Sequence, residues 1–185
     1  MILDCCVSED ECYQLFSITD LWRRRPLHYS CIAGDTESVR VMLNHINQDM
    51  WYSLLQFRDR YSNTPLHYTS YNGHTDVFKM IHGSVTHTQW INLLQMKGRV
   101  EMTVLQTAAY FDKQARCIET IRESVSDEVW INLLSTPLPE YSGNIHHETP
   151  YQRAVSKIEE LRTDELITAA RVKSALLIAN QSGMK

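Results

Sequence analysis

His28 and Cys31 lie three residues apart, the spacing at which an imidazole and a thiol share one face of a helix. A neighbouring imidazole lowers the pKa of a cysteine thiol and makes the thiolate available as a nucleophile. The alternative is a structural role, because Cys31 stands in a position where a small apolar residue packs. We favour the structural role and predict that the chain has no catalytic residue and is not an enzyme.

Histidines and a carboxylate suggest two places at which a metal ion could be sought. His74, His82 and His87 form one group, and the His-His-Glu sequence at 146–148 forms the other. Zinc requires three or four nitrogen, sulfur or carboxylate donors that converge on one point. The spacing shows no such convergence, so we predict that the chain binds no metal and no cofactor.

Three consecutive arginines, Arg23, Arg24 and Arg25, follow Trp22 and form the strongest local cluster of charge. Guanidinium groups make paired hydrogen bonds to carboxylates and phosphates, so the cluster could hold an acidic segment of a partner or a phosphate. The alternative is a solvated loop, since most charge runs lie on loops.

The composition is that of a folded chain: 43% of the 185 residues are hydrophobic, enough for a core. A formal net charge of −4 does not supply the positive surface that nucleic-acid phosphates require, so we predict no nucleic-acid partner. No apolar run approaches the ~20 residues that cross a bilayer, and we predict no membrane insertion.

The cysteines are odd in number and lack a paired metal-ligand spacing, which favours reduced thiols. They are Cys5, Cys6, Cys12, Cys31 and Cys117. The chain has no basic leader at its start, so it is predicted to be intracellular and cytoplasmic. It is also predicted to be monomeric.

A short motif recurs at a fixed distance along the chain. Residues 25–29 read Arg-Pro-Leu-His-Tyr and residues 64–68 read Thr-Pro-Leu-His-Tyr, a step of 39 residues. A weaker copy, Thr-Val-Leu-Gln-Thr, follows after another 39 at residues 103–107, and a worn copy begins at 149–151. A fixed period of about 20 to 50 residues indicates a stacked repeat array.

The sequence Trp-x-x-Leu-Leu gives a second landmark with the same period. Its copies begin at Trp51, Trp90 and Trp130, with steps of 39 and 40 residues. Tryptophan at a fixed repeat position beside two leucines predicts a core residue rather than a functional one. Cys12 falls on the preceding tryptophan position, so we predict that the residues before about 20 are the tail of an earlier repeat.

Each repeat is predicted to form two helices, a helical extension that carries Trp-x-x-Leu-Leu, and a loop. Thr64 and Pro65 suit a helix start, since threonine caps free amides and proline fits the first turn. Gly73 suits the left-handed residue that ends a short helix. The polar loops at 57–63 and 96–102 are predicted to project as fingers.

Residues 64–67 (Thr-Pro-Leu-His), followed by Gly73, His74 and Val77, closely resemble the ankyrin repeat, and residues 26–39 resemble it nearly as well. The resemblance covers residues 20–134 and implies an all-α, ankyrin-like helical repeat solenoid with finger loops between repeats. It also implies that the motif histidines join neighbouring loops through hydrogen bonds. Helical repeats of the HEAT or armadillo kind have a period near 40 but do not explain Thr-Pro-Leu-His.

The chain departs from the family in three ways. Its period is 39 or 40 residues where ankyrin repeats usually have about 33. The Trp-x-x-Leu-Leu helix replaces the usual Gly-Ala-Asp ending. The third copy lacks the proline, the histidine and the glycine, and carries one extra residue between Asp112 and Cys117.

Five segments are predicted from these landmarks. They are a partial repeat at 1–20, ankyrin-like repeats at 21–59, 60–98 and 99–138, the last of them degenerate, and a segment at 139–185 that contains a loop excursion, a degenerate fourth repeat and a C-terminal capping helix.

Candidate partner-binding residues are those on the finger loops and at the inner-helix places that the resemblance assigns to the concave face. They are Trp22, Arg23, Arg24, Arg25, Arg60, Tyr61, Tyr71, Asn72, Arg99, Tyr110 and Phe111. Packing between adjacent repeats is the alternative for Tyr71 and Tyr110. The structural motif residues are Pro26, Leu27, His28, Gly34, Thr64, Pro65, Leu66, His67 and Gly73.

The resemblance implies a protein-protein interaction module that binds an unidentified protein or peptide through its concave face and fingers. The alternative is a targeting or autoregulatory ankyrin segment of a larger enzyme, adaptor or channel whose activity lies outside this chain.

Overall fold

The computed structural model describes residues 8–111 and 116–136, and the regular structure within those ranges is helical throughout. The α-helices there are α1 Glu9–Ser17, α2 Pro26–Ala33, α3 Thr36–Asn44, α4 Gln48–Gln56, α5 Pro65–Asn72, α6 Thr75–Gly83, α7 His87–Gln95, α8 Val104–Phe111, α9 Arg116–Ser124 and α10 Asp127–Ser135. A short 3-10 helix spans Arg99–Glu101. The predicted all-α class is confirmed.

Helices in equivalent places of successive repeats pack side by side and form three layers. The first layer contains α2, α5 and α8, the second contains α3, α6 and α9, and the third contains α4, α7 and α10. Helix α1 packs against α4 and α2. Each repeat buries its apolar side against the next repeat as well as within itself, which is the construction of a helical solenoid.

Proline and glycine set the limits of the first-layer helices. Pro26 and Pro65 occupy the first turns of α2 and α5, where a missing N–H leaves no hydrogen bond unmade. Gly34 and Gly73 end these helices in the left-handed region, with φ of 72° and 70°. A Cβ atom on Gly34 would lie 2.7 Å from Nδ1 of His74, so the glycine also allows the next repeat to approach.

The third-layer helices each begin at a polar side chain. Asn47, Thr86 and Ser126 accept a hydrogen bond from the backbone N–H three residues ahead. Such caps satisfy amide groups that the first turn of a helix leaves without a partner. The helical extension that follows each second-layer helix is therefore a separate, capped helix.

The repeated tryptophans are core residues, as their fixed spacing predicts. Trp51 and Trp90 are fully buried and Trp130 is nearly so. Trp51 donates its indole N–H to Oγ of Ser84 at 2.8 Å, and Trp90 donates to Oγ of Ser124 at 2.9 Å. Each bond joins the third-layer helix of one repeat to the end of the second-layer helix of the next.

Replacing Ser84 with alanine is expected to reduce the free energy of unfolding by about 1–3 kcal/mol, because it leaves the buried N–H of Trp51 without an acceptor. Urea denaturation followed by circular dichroism measures this loss. Ser135→Ala is the matched control, since Ser135 also donates to a helical carbonyl but is exposed and receives no indole N–H. Equal losses in the two variants would contradict the role given to Ser84.

None of the helices within the described ranges is long and apolar enough to cross a membrane. Several predictions lie outside those ranges: the excursion after residue 136, the worn copy at 149–151, the C-terminal capping helix, the 146–148 group, and the thiols of Cys5 and Cys6.

Candidate functional site

Successive repeats are joined by short hydrogen-bonded loops that we call fingers: finger 1 is residues 20–24, finger 2 is 59–63 and finger 3 is 98–102. In each finger the first backbone N–H donates to the carbonyl of the fifth residue, at 3.0, 2.9 and 2.8 Å. The fourth residue has a positive φ in all three, between 58° and 65°. The fingers therefore share the closing hydrogen bond and the positive φ at the fourth residue, and finger 3 differs in a second positive φ, 52° at Val100.

Asp59 organises finger 2 from a buried position. Its Oδ1 accepts hydrogen bonds from the backbone N–H groups of Tyr61 at 2.8 Å and Asn63 at 3.0 Å. Its Oδ2 accepts from the hydroxyl of Tyr68 at 2.5 Å. Burial, followed by this bond to Asp59, raises the pKa of Tyr68. A single carboxylate thus fixes the turn and ties it to helix α5.

Asp20 has the same function in finger 1. It accepts from two backbone N–H groups of its own finger and, at 2.5 Å, from the hydroxyl of Tyr29 on α2. Finger 3 begins instead with Gly98, and Thr107 occupies the place of the tyrosine. Finger 3 therefore lacks both the carboxylate and the tyrosine. This is expected if each of the two groups serves mainly as the hydrogen-bond partner of the other.

Arg24 and Arg25 are turned into the structure. Arg24 donates through Nη2 to the Tyr68 hydroxyl at 3.0 Å, and its Nε lies 3.4 Å from Oδ2 of Asp59. The Arg25 guanidinium lies over the ring of Phe57, 3.6 Å from its centroid. Arg24 therefore connects finger 1 to helix α5 of the second repeat, whereas Arg25 packs on a residue of its own repeat.

Backbone hydrogen bonds also join the fingers to one another. The N–H of Arg60 donates to the carbonyl of Trp22 at 2.8 Å. The N–H of Arg99 donates to the side-chain carbonyl of Asn63 at 2.8 Å. The three fingers consequently form one continuous surface along the stack.

The motif histidine of the second repeat joins two loops, as the resemblance implies. Nδ1 of His67 accepts from the backbone N–H of Thr64 at 3.3 Å. The other ring nitrogen, Nε2, must then carry the proton, and it donates to the carbonyl of Met102 at 3.2 Å. In the third repeat Gln106 replaces the histidine and accepts from the Thr103 N–H at 3.0 Å.

Burial opposes any nucleophilic use of His28 and Cys31. Both residues are fully buried. Burial lowers the pKa of His28 to about 4, although the Asp59 charge acts in the opposite sense. Burial raises the pKa of the Cys31 thiol to about 12. A neutral imidazole beside a protonated thiol is the reverse of an activated pair and fits packing.

Aromatic rings from two first-layer helices meet at the surface. Tyr71 of α5 and Phe111 of α8 have ring centroids 4.1 Å apart, and Tyr110 lies 4.2 Å from Phe111. Tyr71 is nevertheless 47% exposed and Phe111 36% exposed. The cluster therefore combines packing between repeats with an accessible aromatic surface.

The other candidate contacts divide into two groups. Trp22, Arg23, Arg60, Tyr61 and Arg99 lie on the fingers and are exposed. Asn72 is exposed as well, but its amide nitrogen donates to the carbonyls of Ile32 and Tyr68. The structure brings the first group together on the fingers and ties Asn72 to the neighbouring helix.

Within residues 8–111 and 116–136, no group of three or more histidine, cysteine, aspartate or glutamate side chains is placed to hold a metal ion. Of the proposed histidine ligands, His74 directs Nε2 at the carbonyl of Ile32, 3.0 Å away. His82 packs against the ring of Trp90, with centroids 4.9 Å apart.

Sequence reasoning overlooked two features of the fingers. One is the inward position of Arg24, which looks like any other member of an arginine run. The other is the pairing of Asp20 with Tyr29 and of Asp59 with Tyr68. A signal for the second was available, since both pairs have a separation of nine residues and recur at the 39-residue period.

Comparison with known protein families supports the stacked-repeat architecture. Residues 4–89 match the family model for ankyrin repeats, described as three copies. No curated protein matches the chain.

Proposed function

Since residues 4–89 belong to the ankyrin-repeat family, we propose that the chain is a protein-protein interaction module that binds a protein or peptide through its concave face and its fingers. Ankyrin repeats generally bind other proteins and are generally not catalytic. Binding through a surface of stacked repeats requires no cofactor. We further propose that the protein is a cytoplasmic monomer, which light scattering and imaging of the tagged chain would test.

The aromatic cluster is the observation that carries this proposal. Tyr71, Tyr110 and Phe111 contribute to one surface from two successive repeats. Rigid aromatic side chains that stay accessible provide a large contact area at a small cost in conformational entropy. We include the exposed finger residues in the contact surface and assign Arg24, Arg25 and Asn72 to the internal structure.

Replacing Tyr71 and Tyr110 with alanine is expected to abolish capture of the partner while it changes the melting temperature by only a few degrees. The measurement is a pull-down from cell extract with the purified chain, read by mass spectrometry. Ile131→Ala is the control, because Ile131 is also exposed and apolar but lies on the third layer. A partner retained by the Tyr71/Tyr110 variant, or a large loss of stability in it, would contradict the proposal.

A further inference from the structure

The fingers and the residues beside them carry a charge opposite to that of the rest of the chain. Residues 20–25, 57–63 and 96–102 contain seven of the 18 basic residues and three of the 22 acidic ones, a local charge of +4. The whole chain has a charge of −4, so the remaining residues carry −8. The positive potential is therefore concentrated on one surface.

The acidic side chains in these segments are already occupied. The carboxylates of Asp20 and Asp59 accept the hydrogen bonds of their own fingers. Glu101 lies 3.7 Å from Nζ of Lys97. Four exposed arginines of the same segments form no side-chain hydrogen bond or ion pair within the part of the chain that the structure describes: Arg23, Arg58, Arg60 and Arg99. Their charges are available to a ligand.

The repeat period arranges this surface in rows. Trp22, Tyr61 and Val100 occupy equivalent places in the three fingers and are 47%, 41% and 58% exposed. Arg60 and Arg99 occupy the preceding place in fingers 2 and 3. The Arg99 guanidinium carbon lies 5.6 Å from the ring centroid of Tyr61, so the apolar row and the cationic row adjoin.

We propose that the fingers bind an acidic, extended segment of a partner protein, which lies across the fingers and places carboxylates on Arg60 and Arg99. Apolar side chains of the same segment pack on the row of Trp22, Tyr61 and Val100. This inference rests on the proposed function and specifies the chemistry of the partner. The charge of the surface and its unpaired guanidiniums select carboxylates, and the exposed rings select apolar neighbours.

The dimensions of the stack set the spacing of the recognised residues. Packed helices lie about 8–10 Å apart, so equivalent places in adjacent fingers are separated by a similar distance. A polyproline II segment rises about 3.1 Å per residue and repeats its face every third residue, about 9 Å. We therefore expect acidic residues at every third position. A nucleic acid is disfavoured, because one phosphate per nucleotide is repelled by a chain of net charge −4 more strongly than a segment with one carboxylate in three residues.

A fluorescein-labelled peptide with four copies of Glu-Pro-Leu serves as the probe, and fluorescence anisotropy measures its affinity for the chain. We expect binding that weakens as salt rises, and much weaker binding of the same peptide with glutamine in place of glutamate. Arg60→Gln with Arg99→Gln should lower the affinity by about five- to tenfold. Arg40→Gln with Lys79→Gln, which removes two positive charges from exposed positions on α3 and α6, should change it less than twofold.

Equal binding of the glutamate and glutamine peptides would overturn the inference, as would equal losses in the two double variants. Tighter binding of a single-stranded RNA than of the glutamate peptide would also overturn it. If the glutamate peptide does not bind while the pull-down captures a partner through Tyr71 and Tyr110, this inference fails and the interaction function stands.

Discussion

Acidification from pH 7 to pH 4 is expected to destabilise the stack by about 3 kcal/mol for each of two buried histidines, His28 and His67. Burial lowers the pKa of both rings from 6.5 to about 4. Between these values the unfolded chain binds protons that the folded chain does not. Each buried neutral ring makes its full contribution to the free energy of unfolding above pH 6.5. That contribution is lost as the pH falls to about 4 and changes no further below that.

The chain itself suggests the control for this experiment. Gln106 stands in the histidine place of the third repeat and accepts the Thr103 N–H at 3.0 Å. Glutamine has no charge to gain in this range, so His28→Gln with His67→Gln should remove most of the pH dependence between 6.5 and 4. Urea denaturation at several pH values measures both curves. An unchanged slope in the double variant would contradict the assignment to these two rings.

Asp59→Ala is expected to reduce the free energy of unfolding by about 3–5 kcal/mol. The carboxylate is buried and accepts from the Tyr68 hydroxyl and two backbone N–H groups, and it lies beside the guanidinium of Arg24. Removing it leaves a poorly solvated cation and several donors without a partner. Urea denaturation by circular dichroism, with the midpoint and slope fitted together, measures the loss.

Asp20→Ala provides the matched comparison, because Asp20 forms the same turn in finger 1 but is only partly buried and contacts no arginine of a preceding finger in the described residues. Water can replace its hydrogen bonds, so we expect a clearly smaller loss than for Asp59→Ala. Similar losses in the two variants would show that the turn, rather than the link to Arg24, determines the effect of Asp59.

The fold could be predicted from sequence because its signals are periodic. A period of 39 residues, proline at the first turn and glycine after the last one are properties of single residues at fixed spacings. The tryptophan positions are another signal of this periodic kind. Trp51, Trp90 and Trp130 each begin the same apolar trio, and each lies in the core.

Periodicity did not predict whether a charged side chain on a loop points to solvent or into the structure. Arg23 and Arg24 are adjacent and identical in type, yet Arg23 is exposed and Arg24 contacts Asp59 and Tyr68. The two residues differ in backbone conformation, since Arg23 has a positive φ of 58° and Arg24 does not. Backbone conformation in a loop depends on contacts with the next repeat, and periodicity alone does not report it.

The buried tryptophans give the protein a set of internal optical reporters. Indole emission shifts to longer wavelength when water reaches the ring, and each of the three repeats within residues 21–136 carries one buried indole. Because Trp51 is bonded to Ser84 and Trp90 to Ser124, these two reporters sense the separation of neighbouring repeats. Variants that keep a single buried tryptophan, with Trp22 replaced by phenylalanine, would reveal the order in which the interfaces of the array open.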